Sequence, residues 1–189
     1  MCGIVGYLRT SKEVSEFNLD DLENFLSELV VKDSSLINDS EQSRLSELAS
    51  GLIKVDGVVA LVKDQIKCQV INVLSEQLKS RIEQLEIDND LNEEQKENIG
   101  KIYDALWRIS KDACSSAQQI TELVGDQSHD IAAIPNHVLA IYRSINIVLR
   151  SIDRIEVRGR DSAGISVALS AIEVDEVTKK QVAKRNNLN

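Results

Sequence analysis

Residues 98–124 read NIGKIYDALWRISKDACSSAQQITELV. Ile99, Ile102, Leu106, Ile109, Ala113, Ala117, Ile120 and Val124 recur at steps of three and four, which is the repeat of one face of an α-helix rather than the alternation of a strand. The pattern continues on both sides. Leu19, Leu22, Phe25, Leu26, Leu29 and Val30 follow Asn18 and Asp20, both suitable caps, and Leu45, Leu48, Leu52 and Ile53 mark a second, shorter helix. A longer one carries Val62, Ile66, Val70, Leu74, Leu78 and Ile82 at a uniform spacing of four. EIDNDLNEE at 86–94 interrupts the period. Beyond GDQSHD at 125–130, the only proline, Pro135, is placed to open a last helix bearing Val138, Ile141, Tyr142, Ile145, Val148, Leu149 and Ile152. These stretches predict a helical bundle whose short connections favour antiparallel neighbours.

The two ends have a different texture. GIVGYLR at 3–9 and GISVALSAIEV at 164–174 are short, β-branched and bounded by glycine, so each predicts a strand. The expected fold class is therefore α+β, mostly helical, with a bundle inserted between two strands that pack against helices. The charged tail from Asp175 to Asn189 is expected to be frayed at its end.

Among 189 residues, 31 are Asp or Glu and 22 are Lys or Arg, a net charge of -9. Nucleic acid and anionic membrane both reward clustered cations, and the one late basic group, Lys179, Lys180, Lys184 and Arg185, reads as a solvated helix face. Neither partner is expected. No apolar run reaches the ~20 residues that span a bilayer, and the N-terminus has no basic region followed by an apolar stretch, so a cytoplasmic protein is expected. Cys2, Cys68 and Cys114 lack the spacing of a zinc site or redox pair; Cys68 and Cys114 fall in helical periods and read as small buried apolar groups.

Several candidate sites weaken on inspection. EIDNDLNEEQKE at 86–97 offers Asp88, Asp90 and Glu97 at calcium-loop positions, but Glu86 stands where the first Asp belongs and Leu91 where a sharp turn needs Gly. A capped turn between helices is the better reading. His129 and His137 have no grouped Cys, Asp or Glu around them, so no metal site is expected. Trp107 and Tyr142 lie inside helical patterns and read as core or partly buried anchors.

MCGIVGY at 1–7 and VRGRDSAGISV at 157–167 remain, and together they resemble the start of a class II, N-terminal-nucleophile glutamine amidotransferase. In that family a Met-Cys-Gly-Ile start and an Arg-Gly-x-Asp-Ser-Ala-Gly turn lie on neighbouring elements. The turn from Arg158 to Gly164 is most like that of glutamine:fructose-6-phosphate amidotransferases; phosphoribosyl-pyrophosphate and asparagine-forming relatives are the lesser alternatives. The resemblance implies residues 1–11 and 135–175 as parts of an amidotransferase domain, 12–134 as a helical insertion and 176–189 as a polar tail. It implies glutamine as substrate, a sugar-phosphate acceptor in a further domain and no cofactor; it assigns the helical insertion no role, and a protein partner for that block is a separate expectation.

The implied chemistry has a physical basis. Removal of Met1 would leave Cys2 with a free α-amine of pKa about 7.7–8.0 beside a thiol of about 8.5, so near neutral pH the amine can take the thiol proton. Cys2 would attack the side-chain amide carbon of glutamine, release ammonia and leave a thioester for water to cleave. By the same resemblance Arg158 would order the nucleophile's surroundings and Gly159 would permit close backbone approach, while Asp161 and Ser162 stabilise the turn. The family's Gly-His-Thr-Arg-Trp-Ala-like carboxylate clamp and its Asn-Gly oxyanion hole have no counterpart among the 189 residues. Losing an oxyanion donor commonly costs ~10²–10³ in rate, so a poor glutaminase is expected of this stretch alone, as the first part of a larger enzyme. The rival expectation is a non-catalytic helical module that presents an acidic surface to a partner and retains amidotransferase remnants.

Overall fold

In the computed structural model, which describes residues 16–32, 37–88, 91–125 and 131–156, 89% of those residues are helical and none lies in a strand. The α+β expectation is corrected to an all-α fold. The physical reason is that the helices' apolar faces close on one another around a shared core and need no sheet to cover them. The stretches read as strands, 3–9 and 164–174, lie outside the described residues.

The helices are α1 (Leu19–Val31), α2 (Asp39–Leu52), α3 (Val55–Lys63), α4 (Gln65–Asp88), α5 (Glu93–Trp107), α6 (Ser115–Val124) and α7 (Asn136–Glu156). A π-helical segment, Arg108–Cys114, joins α5 to α6, and a 3-10 turn, Ile131–Ala133, precedes α7. Asn and Asp side chains set most of the starts. Asn18 Oδ1 accepts from the backbone N–H groups of Asp20 (3.0 Å) and Asp21 (3.3 Å), and Asn38 with Glu41 and Asn92 with Gln95 form reciprocal capping boxes. The acidic turn is thus a capped junction at its α5 end.

The long helix expected through Val62 and Ile82 is two helices. A spacing of four drifts by about 40° per step at 3.6 residues per turn, so the six apolar residues cannot share one face. The chain breaks at Asp64, whose Oδ1 accepts from the Lys67 N–H at 2.9 Å, while the Gln65 amide donates to the last α3 carbonyls, Leu61 and Val62, at 3.0 Å each. Helix α4 then buries Cys68, Ile71, Ser75, Leu78 and Ile82, an alternating three-four repeat, and leaves Ile66 77% exposed.

Helix α1 lies along α4, and α2 along α5. Lys67 on α4 meets Asp20 on α1 at 2.6 Å, Lys32 meets Glu41 at 2.7 Å, and Arg81 donates to the Leu29 carbonyl at the end of α1. Helices α3, α6 and α7 form the other flank. Against them α7 buries Leu139, Ala140, Arg143 and Asn146, whereas its expected stripe of Val138, Ile141, Tyr142, Ile145, Val148, Leu149 and Ile152 is only half-buried. Arg143 donates to the Ile53 carbonyl at 3.3 Å, and the Asn146 amide to Gln119 Oε1 at 2.9 Å. Among the described residues no helix is long and apolar enough to cross a membrane.

The α2–α3 joint depends on a glycine. A Cβ on Gly57 would stand 2.4 Å from the Leu52 carbonyl oxygen and 2.5 Å from its Cα, whereas one on Gly100, mid-α5, would meet nothing within 4 Å. The two alanine substitutions should therefore have opposite signs in urea titrations. Gly57→Ala should destabilise by about 1–3 kcal/mol through overpacking. Gly100→Ala should stabilise by about 0.5–1 kcal/mol through the lower helix propensity of glycine.

Candidate functional site

The expected site residues Cys2, Arg158, Gly159, Asp161 and Ser162 all lie outside the described residues, as does His129. Among the described residues, His137 is exposed near the start of α7, and no three His, Cys, Asp or Glu side chains are placed to hold a metal ion. Two recesses stand out instead.

The larger, about 460 Å³, runs between α4 and the α5–π junction. Helix α4 supplies Glu76, Lys79, Glu83 and Glu86; the facing wall is Tyr103, Leu106, Trp107, Ser110 and Lys111. Three carboxylates thus share a groove with an indole that is 52% exposed. The expectation of Trp107 as a core or partly buried anchor is corrected to an exposed indole, since Leu106 and Ile109 hold the buried face and the indole projects one helical step away from it. That offset was readable in the spacing: position 107 falls outside the 99, 102, 106, 109 series. Tyr142, by contrast, is half-buried against the core as expected.

Hydrogen bonds order the groove. The Tyr103 hydroxyl donates to Glu86 Oε2 at 2.6 Å, the buried Ser110 hydroxyl donates to Glu76 Oε1 at 3.2 Å, and Lys79 lies 3.7 Å from Glu83. Partial burial, then the hydrogen bond to Glu86 and the Glu86 and Glu83 charges, push the Tyr103 phenol well above its ordinary range. The arrangement offers a flat π face and several carboxylate oxygens, a combination that receives an organic cation.

The smaller recess, about 280 Å³, lies where α2, α4 and α5 meet and is lined by Ile37, Ile82, Leu85 and Asn98 among others. The Asn98 amide donates to the Ile37 carbonyl at 3.1 Å and to Asp39 Oδ1 at 3.2 Å, while its own buried Oδ1 has no donor among the described residues. Elsewhere, the thiols of Cys68 and Cys114 meet in the core, a pairing their 46-residue separation did not reveal.

Comparison with protein-family models, with curated proteins and with solved structures found no match to this chain.

The Tyr103–Glu86 hydrogen bond makes a titration prediction. A phenol whose folded pKa lies above its unfolded value of about 10 contributes stability that is complete below pH ~10 and is lost as pH rises through the folded value. Absorbance near 295 nm should show Tyr103 still protonated at a pH where the Glu86→Gln variant has begun to form phenolate. Coincident titration of the two proteins would contradict the placement of Glu86 against the hydroxyl.

Proposed function

We propose that the chain is the N-terminal part of a glutamine-dependent amidotransferase that hydrolyses glutamine to glutamate and ammonia through Cys2, for transfer to a sugar phosphate of the fructose 6-phosphate type. The observation that carries the reading is the presence, in order, of MCGIVGY at 1–7 and VRGRDSAGISV at 157–167. Helix α7 supports it, because it ends at Glu156, two residues before Arg158 in the sequence, where the resemblance implies a helix ahead of the Arg-Gly-x-Asp-Ser-Ala-Gly motif. The cysteine's own amine serves as base in thioester formation and as acid when the ammonia leaves.

The test uses the natural gene product. Its N-terminus should begin at Cys2, and an electrophilic diazo-ketone analogue of glutamine should label that residue in proportion to lost glutaminase activity. Cys2→Ala should abolish both label and activity. Retention of Met1 together with absence of label would remove the mechanism, because the blocked amine could no longer act as base.

A second reading concerns the helical block: it docks a basic segment of a partner protein in the groove beneath Trp107. The exposed indole beside Glu76, Glu83 and Glu86 favours it. Trp107 is the sole tryptophan, so its emission reports the groove. An arginine-rich peptide should shift that emission and bind more weakly as salt rises. Combined Glu83→Gln and Glu86→Gln substitution should weaken it about tenfold, the effect of two rim charges worth up to about 0.5–1 kcal/mol each. Binding of equal strength by an acidic peptide would count against the charge argument.

A further inference from the structure

Cys68 and Cys114 come from elements 46 residues apart in sequence and meet in the interior. Cys68 lies in the first turn of α4, its N–H bonded to the Asp64 carbonyl at 3.0 Å, and Cys114 closes the π-helical segment. Each side chain is 1% exposed. Cys68 Sγ lies 4.0 Å from the Cys114 carbonyl oxygen and Cys114 Sγ lies 3.8 Å from that of Cys68, so the two side chains run past each other in a reciprocal pair. Both cysteines are free.

Small buried residues already stand beside Cys114 in sequence, Ser110, Ala113 and Ala117, so space-filling at that place does not call for a thiol. What two cysteines add is chemistry, because a disulfide needs its two side chains side by side with little backbone movement. Their surroundings also divide the labour. The adjacent Cys114 side chain lowers the Cys68 thiol pKa against the opposing effects of burial and the Asp64 charge. The adjacent Cys68 side chain and burial raise the Cys114 thiol pKa. Cys68, in the first turn of α4 where the helix terminus favours negative charge, is the first nucleophile, and Cys114, at the end of the π segment, is the resolving thiol.

We propose that Cys68 and Cys114 form a reversible disulfide, with hydrogen peroxide as the oxidant, that ties the first turn of α4 to the end of the π segment. The Cys68 thiolate attacks one peroxide oxygen, the O–O bond breaks, and the hydroxide released takes a proton to leave as water, giving a sulfenic acid. The Cys114 sulfur then attacks the Cys68 sulfur, the S–O bond breaks, and the hydroxyl group leaves with the Cys114 proton as a second water. Two thiols and one peroxide become one disulfide and two waters. Reduction by an exchanging dithiol reverses the bond. The site needs a small oxidant because both sulfurs are enclosed, and local opening of the α4 start sets the rate.

The experiment treats the folded, reduced full chain with stoichiometric hydrogen peroxide, blocks remaining thiols with an alkylating agent and maps the peptides by mass spectrometry. The expected product is a peptide pair joined through Cys68 and Cys114, lighter by two hydrogens and separated again by dithiothreitol, with an upward shift of the melting temperature that reduction reverses. In Cys114→Ser, with no resolving thiol, Cys68 should accumulate as a sulfenic acid trapped by dimedone; in Cys68→Ser no such adduct should form at Cys114. Three outcomes would overturn the proposal. One is that both thiols survive peroxide unchanged while exposed thiols react. Another is that the link forms only after the chain is denatured. The last is that Cys68 or Cys114 joins Cys2 instead of its neighbour.

Discussion

The widened helical turn at Arg108–Cys114 is the constraint on which the rest of the bundle depends. There the Ser115 N–H bonds to the Ser110 carbonyl, five residues back, so the backbone ladder slips by one residue. A slipped ladder leaves carbonyl capacity that must be met by another donor when it is half-buried. Arg150 on α7 meets it, donating to the carbonyls of Lys111 at 2.8 Å and Asp112 at 3.2 Å and to the Ser116 hydroxyl, with Asp112 Oδ1 3.5 Å away. Hydrogen bonds from a charged donor contribute about 1.5–3 kcal/mol each when well formed. The last helix is therefore held to the middle of the chain by polar bonds of fixed geometry as well as by apolar burial. The slip also turns consecutive residues inward, Ile109 with Ser110 and Ala113 with Cys114. It is this doubling that presents the Ser110 hydroxyl to Glu76 and the Cys114 thiol to Cys68.

The second constraint is the break at Asp64. Without it the α3 and α4 sequences would form one rod whose apolar residues wind around the axis. With it, α3 turns its Val58, Val59, Leu61 and Val62 into the core beside α6 and α7, and α4 starts afresh with its own face toward α1 and the π segment. Most of the surface ion pairs, such as Lys96 with Glu93 and Lys101 with Glu97, join well-exposed side chains and contribute little each. Specificity of packing comes instead from caps, from Arg150, and from the buried Arg143 and Asn146 of α7, polar groups that tolerate only the register in which Ile53 and Gln119 receive them.

Helix positions were legible because the apolar residues of α1, α2, α5 and α6 keep to one face, and a face is a local property of the chain. Leu22, Leu26, Leu29, Ile99, Ile102, Ile109 and Ile120 are all buried where their spacing places them. The break at Asp64 was less visible, because a uniform spacing of four looks like a stripe unless its drift is followed over several turns. The buried face of α7 was hidden more deeply: it carries Arg143 and Asn146, and polarity alone cannot distinguish a solvent-facing residue from one received by a carbonyl on another helix. The groove was half legible. Its carboxylates and Trp107 stand in the sequence, but only the packing of α4 on α5 brings them together. The sheet expectation extrapolated from two short end segments to the fold class, and the class is decided by the helices that supply the core.

That core also governs how the two functional readings relate. Among the described residues the buried cluster draws on all seven α-helices and the π segment, from Leu19 to Leu139. A helical block with its own core can be carried between two catalytic motifs at the cost of closing a loop, and that cost grows only slowly with length. The proposed nucleophile chemistry at Cys2 depends on a free amine, whereas the proposed recognition in the groove depends on the separation of α4 from the α5–π junction. The two proposals therefore rest on different residues, and each is tested by changes that do not touch the other's.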